Sequence, residues 1–397
     1  MKQLLTLLFV AFVFLGCNQK QVVQLKMPNQ NKSVPTKVKE DKTTVVEEFI
    51  SNDSIIKEEV IDNSNNGSMN TVQPQADEET VAQQSININI DETRANVKLA
   101  FVYPSTLVSK YAKSSLSTIS GYLSYKQANY NLIVVDSKNE SYENINNAFS
   151  KLKEEGVTKV IALFTPNALN NLNKIVTDDF KVYLPLIEKK DSLENNDNLI
   201  FGSISYDDQL KKLSYYSNGK NSTFYQETYL GTKLKNSYDF IIGNSNLRKE
   251  ISNDEKNFKN IVNDSRLRNS SLFLNTDLVK SSLILSQMTV YEINPNTILA
   301  TQILFDPMLM VLTQERDRQN LIIANSIGDV DSKLKDEIAT LGGNITFEWV
   351  DYSTLVGTNY LFSNGNSSLI STKIENNQAV YTPRLFKSTD IGFLEIK

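Results

Sequence analysis

The chain has 397 residues, 40% of them hydrophobic, and a formal net charge of −5. That is enough apolar material for one or two packed domains. It contains no histidine and a single cysteine, Cys17, which excludes an internal disulfide, a Cys/His zinc site, a Cys/His nucleophilic pair and a Ser/His/Asp triad, so the core must hold by packing.

Residues 4–15 form an almost unbroken apolar stretch behind Lys2, too short for a permanent membrane span and of the length of a signal-peptide core. It runs into Phe14-Leu15-Gly16-Cys17, a small residue before a cysteine, which resembles the lipobox of bacterial lipoproteins. The resemblance implies a signal peptide over 1–16, and a lipidated Cys17 whose acyl chains, palmitate among them, hold the protein to a membrane. Residues 17–95 are rich in Asn, Gln, Ser, Thr, Lys and Glu, with too little apolar surface to offset the entropy of ordering, and are expected to be a disordered tether. Its first part, 18–46, carries a net +4 and its second, 47–92, a net −10, which leaves the remainder of the chain near neutral. A neutral globular part argues against nucleic acid as a partner. As a coil the tether reaches on the order of 50 Å, so the folded part works away from its membrane.

After Ala95 strands and helices alternate. Val97 to Tyr103 is a buried strand closed by Pro104, Thr106 to Tyr125 a helix, and Asn131 to Asp136 the next strand. Ser141 to Glu155 is a second helix ended by Gly156, Lys159 to Phe164 a third strand, and Asn167 to Val176 a short helix. Val182 to Ile187 is extended, Asp207 to Tyr216 helical, and Ser217 to Lys220 a turn. Beyond it Ser222 to Tyr225, Asp239 to Ile242 and Ser271 to Leu274 read as strands, with a polar segment, Ser245 to Arg268, between the last two. Asp277 to Val290 is a helix, and Thr297 to Ile303 and Leu321 to Ala324 are strands. Asp331 caps a helix with Leu334, Ile338 and Leu341 on one face, ended by Gly342-Gly343. Leu369 to Lys373 and Ala379 to Leu385 form a hairpin around Asn376-Asn377. Strands alternating with helices imply an α/β fold with parallel sheets. The expected division is a first lobe over 96–220, a second over 221–320, and a returning segment, 321–397, that completes the first lobe and carries the hairpin.

This order of elements resembles the type I periplasmic binding protein fold, two α/β lobes joined by hinge strands. VKLAFVYPSTLVSKYAKSSLSTISGYLSY resembles that family's first strand, loop and helix, and YNLIVVDSKNES its second strand ending in an acid. GVTKVIALFTPNALNNLNKI resembles its third strand and ligand-side loop, NDNLIFGSISYDDQLKKLSYY the approach to the first hinge crossing, and QETYLGTKL the opening of its second lobe. A lipid-anchored member on a long tether looks most like the outer-membrane lipoprotein activators of penicillin-binding proteins, without their helical-repeat N-terminal domain. Solute-binding proteins that feed importers share the fold.

The resemblance places Thr165, Pro166 and Asn167 in the cleft from the first lobe and Tyr229 from the second. The competing readings are that Thr165 begins a turn and Asn167 caps a helix. Asp136 ends a strand, where a carboxylate meets an amino group or simply solvent. Ser217-Asn218-Gly219-Lys220 matches Ser-x-x-Lys formally, but the serine closes a helix instead of opening one. Phe305 to Leu312, with two methionines, is either core between layers or an adaptable docking surface. No nucleophile, base or metal set is visible, and no cofactor is implied. The expected function is non-catalytic: an envelope lipoprotein on the periplasmic side of the outer membrane, bound to the membrane by its lipid and to another envelope protein, such as a peptidoglycan synthase. The alternative is a receptor for an amino acid or similar small polar ligand that feeds a membrane transporter.

Overall fold

The run from Val97 to Tyr103 has almost no polar face, as a strand covered on both sides requires. In the computed structural model of the protein it lies near one edge of the first of two sheets. The structure describes residues 85–88 and 96–396; the expected signal peptide, Cys17 and the tether other than Ser85–Ile88 lie outside them. The first part comprises β1 (Ser85–Ile88), β2 (Asn96–Tyr103), α1 (Ser105–Tyr125), β3 (Asn129–Asp136), α2 (Tyr142–Glu154), β4 (Lys159–Ala162), α3 (Leu169–Ile175), β5 (Lys181–Leu184) and β6 (Leu199–Phe201). There follow α4 (Tyr206–Ser214), β7 (Asn221–Gln226), α5 (Tyr229–Ile241), β8 (Leu247–Ile251), α6 (Phe258–Val262) and β9 (Ser271–Asn275). The second part continues with α7 (Leu278–Val290), β10 (Thr297–Ala300), α8 (Met308–Leu312) and β11 (Leu321–Asn325). The chain returns as α9 (Ser332–Thr340), α10 (Trp349–Ser363) and the hairpin β12 (Lys373–Glu375) and β13 (Gln378–Val380), then crosses a last time to β14 (Arg384–Ser388) and β15 (Phe393–Ile396).

The strand orders are β1-β3-β2-β4-β5-β6-β13-β12 and β15-β14-β11-β10-β9-β7-β8. Each contains five parallel strands in the same doubly wound sequence, β3-β2-β4-β5-β6 and β8-β7-β9-β10-β11. The protein is therefore a two-lobed α/β structure of the type I periplasmic-binding-protein kind. In the first lobe α2 and α3 cover one face, with Phe149, Leu152, Leu172 and Phe180 in that layer. In the second, α4 and α5 cover one face through Leu210, Leu213 and Tyr238. A third apolar cluster is continuous through both lobes, from Leu99, Ile119 and Tyr183 to Phe224, Leu272 and Leu321. Among the described residues three crossings join the lobes, at 202–205, 326–329 and 381–383, between elements of different sheets.

Several sequence expectations need correction. Asp239 to Ile242 is not a strand: α5 runs through it, because Leu234 and Tyr238 continue a buried helical face that a four-residue window conceals. The polar segment 245–268 contains β8, whose edge position lets Arg248 and Glu250 face solvent. Ser85–Ile88, inside the expected tether, pairs antiparallel with β3. β11, expected in the returning segment, belongs to the second sheet. Leu341 is 46% exposed, outside the α9 face formed by Leu334 and Ile338. In the segment 305–312, Phe305 and Leu309 are buried while Val311 is 73% exposed, so it is part core and part surface.

Candidate functional site

Open α/β sheets gather their ligand-binding loops where the strand order reverses. In the first lobe that point lies between β2 and β4, whose ends lead to Ser105 and Thr165. The donors here are already engaged. Asp136 at the end of β3 accepts from the Ser105 N–H at 3.0 Å and the Lys138 N–H at 2.7 Å, so it organises the loop. Glu140 accepts from Thr165 twice, from the backbone N–H at 2.6 Å and from Oγ1 at 2.7 Å, and Asn171 donates to the Glu140 carbonyl at 2.9 Å. Thr165 is 1% exposed. Burial pushes the Glu140 carboxyl up to about 7, against the downward pull of the two Thr165 bonds. Asn167 lies exposed in the short 3₁₀ turn Pro166–Ala168. Thr165 and Asn167 therefore share a loop but not an environment.

In the second lobe Tyr229 opens α5, capped by Thr228, whose Oγ1 accepts from the Gly231 N–H at 3.0 Å. A Cβ on residue 231 would fall 2.0 Å from the Gln226 carbonyl oxygen, so the helix seats on the end of β7 only with glycine there. Tyr229, 38% exposed, lines a groove of about 360 Å³ with Lys190, Asp207, Lys233, Asn236 and Phe240. Thr165 and Asn167 do not line it. The carboxyl end of β9 carries Asn275, 2% exposed, whose side-chain amide has no hydrogen-bond partner among the described residues.

The groove borders an ion network that the sequence did not announce. Glu188 follows β5 of the first lobe and is 5% exposed. Lys233 of α5, in the second lobe, lies 3.0 Å from Glu188 and 3.6 Å from Asp191, and Lys190 lies 3.2 Å from Glu188 and 2.7 Å from Asp207. Burial pulls the Lys233 ammonium down, but Glu188 and Asp191 outweigh it and hold it above its ordinary range, while burial also raises the Glu188 carboxyl against the pull of Lys233 and Lys190. On the α9–α10 connection Phe347 reaches the second lobe's Phe305 at 5.7 Å between centroids, and Phe305 in turn lies 4.4 Å from Phe393 and 4.9 Å from Phe386.

The crossings themselves are tied. Ser353 donates to the Gly202 carbonyl at 2.8 Å and to that of Pro185 at 3.2 Å, the Tyr381 hydroxyl also donates to Gly202, and Tyr183 meets Ser353 at 3.3 Å. A Cβ at position 202 would fall 2.4 Å from the Tyr183 hydroxyl. Burial raises the Tyr183 and Tyr381 hydroxyls well above the usual tyrosine range, which keeps them as neutral donors. At the second crossing Gln209 donates to Ser326 Oγ at 2.8 Å and accepts from the Gln302 N–H at 2.8 Å. Ser217 lies in the turn after α4 with its hydroxyl on Asn221, and Lys220 donates to the Arg268 carbonyl at 3.1 Å, so the Ser-x-x-Lys match builds no reactive pair. Among the described residues no group of three or more Asp, Glu, Cys or His side chains is placed to hold a metal.

No family model matches the sequence, and no curated protein matches it. Solved structures do. A protein from Rhodospirillum rubrum described as a branched-chain amino acid ABC transporter aligns with 76% of this chain and 100% of its own at 10% identity and a TM-score of 0.61. The leucine binding protein LivK of Thermotoga maritima aligns with 76% of this chain and 98% of its own at 14% identity and a TM-score of 0.54. The C-domain of LpoA from Haemophilus influenzae, a regulator of PBP1A, aligns with 76% of this chain and 100% of its own at 10% identity and a TM-score of 0.53. At these identities the likeness is one of fold. These neighbours are binding proteins or regulators.

Proposed function

We propose that this protein is a non-catalytic, exported lipoprotein, anchored through Cys17 and acting by binding another protein of the cell envelope. The observation that carries this reading is the closure of the first-lobe site: both donors of Thr165 are taken by the chain's own Glu140 carboxylate. A solute receptor must gain free energy from its ligand to move its lobes, and here those donors are spent internally. The Glu188–Lys233 pair, the Phe305 cluster and the tied crossings favour one fixed arrangement of the lobes, suited to presenting a surface. The LpoA C-domain, which regulates another protein, offers a precedent for the fold in such a role. The expected location is the outer membrane, since Asn18 follows the cysteine where an aspartate would signal inner-membrane retention. The part of the expected tether before β1, residues 17–84, would carry the domain to its partner.

The second reading, a receptor for an amino acid or similar small polar solute, is favoured by Asn275, a buried amide at the second lobe's strand ends without a partner among the described residues. Thermal unfolding separates the two. Amino acids and short peptides at millimolar concentration should leave the melting temperature unchanged; a ligand at its own Kd stabilises by only about 0.4 kcal/mol, so a clear shift requires real affinity. A shift with one solute, abolished by Thr165→Ala, would establish the receptor. Cys17→Ser should leave the protein unprocessed or free of membranes, and fractionation with lipoproteins would refute the anchor.

A further inference from the structure

A second concavity, of about 410 Å³, lies on the first lobe between the end of α10 and the segment that returns to β12, and shares no residue with the inter-lobe groove. The local sequence builds it. Asn364 and Gly365 take the left-handed conformation after Ser363, the Gly365 N–H closes the helix on the Tyr360 carbonyl at 2.9 Å, and the chain turns back alongside α10. One wall is then the helix, with Tyr360 and the amide of Asn359. Asn359 Oδ1 is held by the Tyr122 hydroxyl at 3.0 Å, which fixes the side chain where it lines the groove. The other wall is rich in hydroxyls, among them those of Ser368 and Ser371, and ends in Lys373 and Glu375, two apart on β12 and so on one side of the strand.

The chemistry of these walls selects a class of ligand. Lys373 and Glu375 are exposed and make no ion pair among the described residues; their charges cancel, so the groove does not favour an ion of either sign. What remains is a dense mixture of donors and acceptors beside an aromatic ring, with the buried Ile370 below. A carboxylate and an amide suit the vicinal hydroxyls of a sugar, hydroxyl groups serve as donor or acceptor, and a tyrosine ring suits the C–H face of a pyranose. The volume falls within the range of about 300–1,000 Å³ typical of small-ligand sites. We infer that this groove binds a neutral saccharide, with the ring against Tyr360 and its hydroxyls between Glu375, Lys373 and Asn359. The inference stands on different residues from the inter-lobe reading, and either survives the failure of the other.

The test is calorimetric titration of the full chain with a β-1,4-linked N-acetylhexosamine tetramer and, separately, a β-1,4-linked glucose tetramer. At least one should bind with a Kd below about 1 mM, and Glu375→Ala or Lys373→Ala, both at exposed positions, should weaken it about tenfold with unchanged thermal unfolding. Failure of both saccharides to bind at about 10 mM would overturn the proposal, as would binding that the Glu375→Ala/Lys373→Ala double variant leaves intact. Tighter binding of a free amino acid at this groove, lost in that double variant, would also overturn it by showing that the two charges recognise a zwitterion.

Discussion

Replacing Glu140 with glutamine should change how stability depends on pH, with a direction set by the carboxyl's surroundings. A glutamate titrates near 4.5 when exposed, and burial beside Thr165 pushes Glu140 up to about 7. Between these values the folded protein keeps a proton that the unfolded chain has released. The contribution of Glu140 is thus fully favourable below pH 4.5 and is lost as the pH rises through about 7. The full displacement, from 4.5 to about 7, corresponds to about 3 kcal/mol. Glutamine cannot ionise, so Glu140→Gln escapes this loss. It remains an acceptor for the Thr165 N–H, at a pH-independent cost of about 1 kcal/mol for the poorer pairing. Urea unfolding of both proteins, followed by circular dichroism across this range, isolates the effect because every other titrating group cancels in the difference. The variant should gain about 3 kcal/mol on the parent across that window and then level off. A flat difference, or one of opposite slope, would refute the account of Glu140 as a buried carboxyl closing the first-lobe site.

Lys233→Met should cost about 2–4 kcal/mol, since Glu188 stays buried with Lys190 as its remaining close partner, and adding Glu188→Gln should recover much of that. A double-mutant cycle with no coupling would show that this pair does not join the lobes. Gly231→Ala should destabilise by more than about 3 kcal/mol, because its Cβ would fall 2.0 Å from the Gln226 oxygen; a parental melting curve would contradict the close seating of α5 on β7. Phe347→Ala should cost about 2–3 kcal/mol and broaden or split the calorimetric transition by weakening the aromatic contact between lobes, whereas an unchanged transition would place that contact outside the cooperative unit.

The parallel strands and amphipathic helices were legible because their signal is local. Val97–Tyr103, Lys159–Phe164 and Ser271–Leu274 are apolar runs of strand length between turn residues, and Ser141, Asp277 and Asp331 cap the helices that follow the pattern. The lipobox-like Phe14-Leu15-Gly16-Cys17, the polar bias of residues 17–95 and the lack of histidine could likewise be read from residue types alone. α10 was not legible. Val350 to Asn359 are all buried, so Asp351, Ser353, Thr354 and Thr358 point inward with the apolar residues and no polar face marks the period. Some inward polar groups find partners far along the chain, Ser353 on Gly202 and Asn359 with Tyr122, while Thr358 donates to the Thr354 carbonyl and Asp351 accepts from the Asn344 N–H.

The candidate site divides in the same way. The loop containing Thr165 and the helix start at Tyr229 could be placed from strand ends, but that Glu140 would occupy Thr165 could not. The two lie 25 residues apart, joined by a helix and a strand whose packing sets the distance. Lys233 and Glu188 belong to different lobes, and Phe347 meets Phe305 only because the chain crosses between sheets. Periodicity and capping depend on neighbours a few residues away, so the sequence by itself determined the fold class and the elements whose signal is local, but not α10. Which donors are satisfied, which charges are paired and which lobe faces touch depend on contacts between distant segments, and these only the tertiary structure decided.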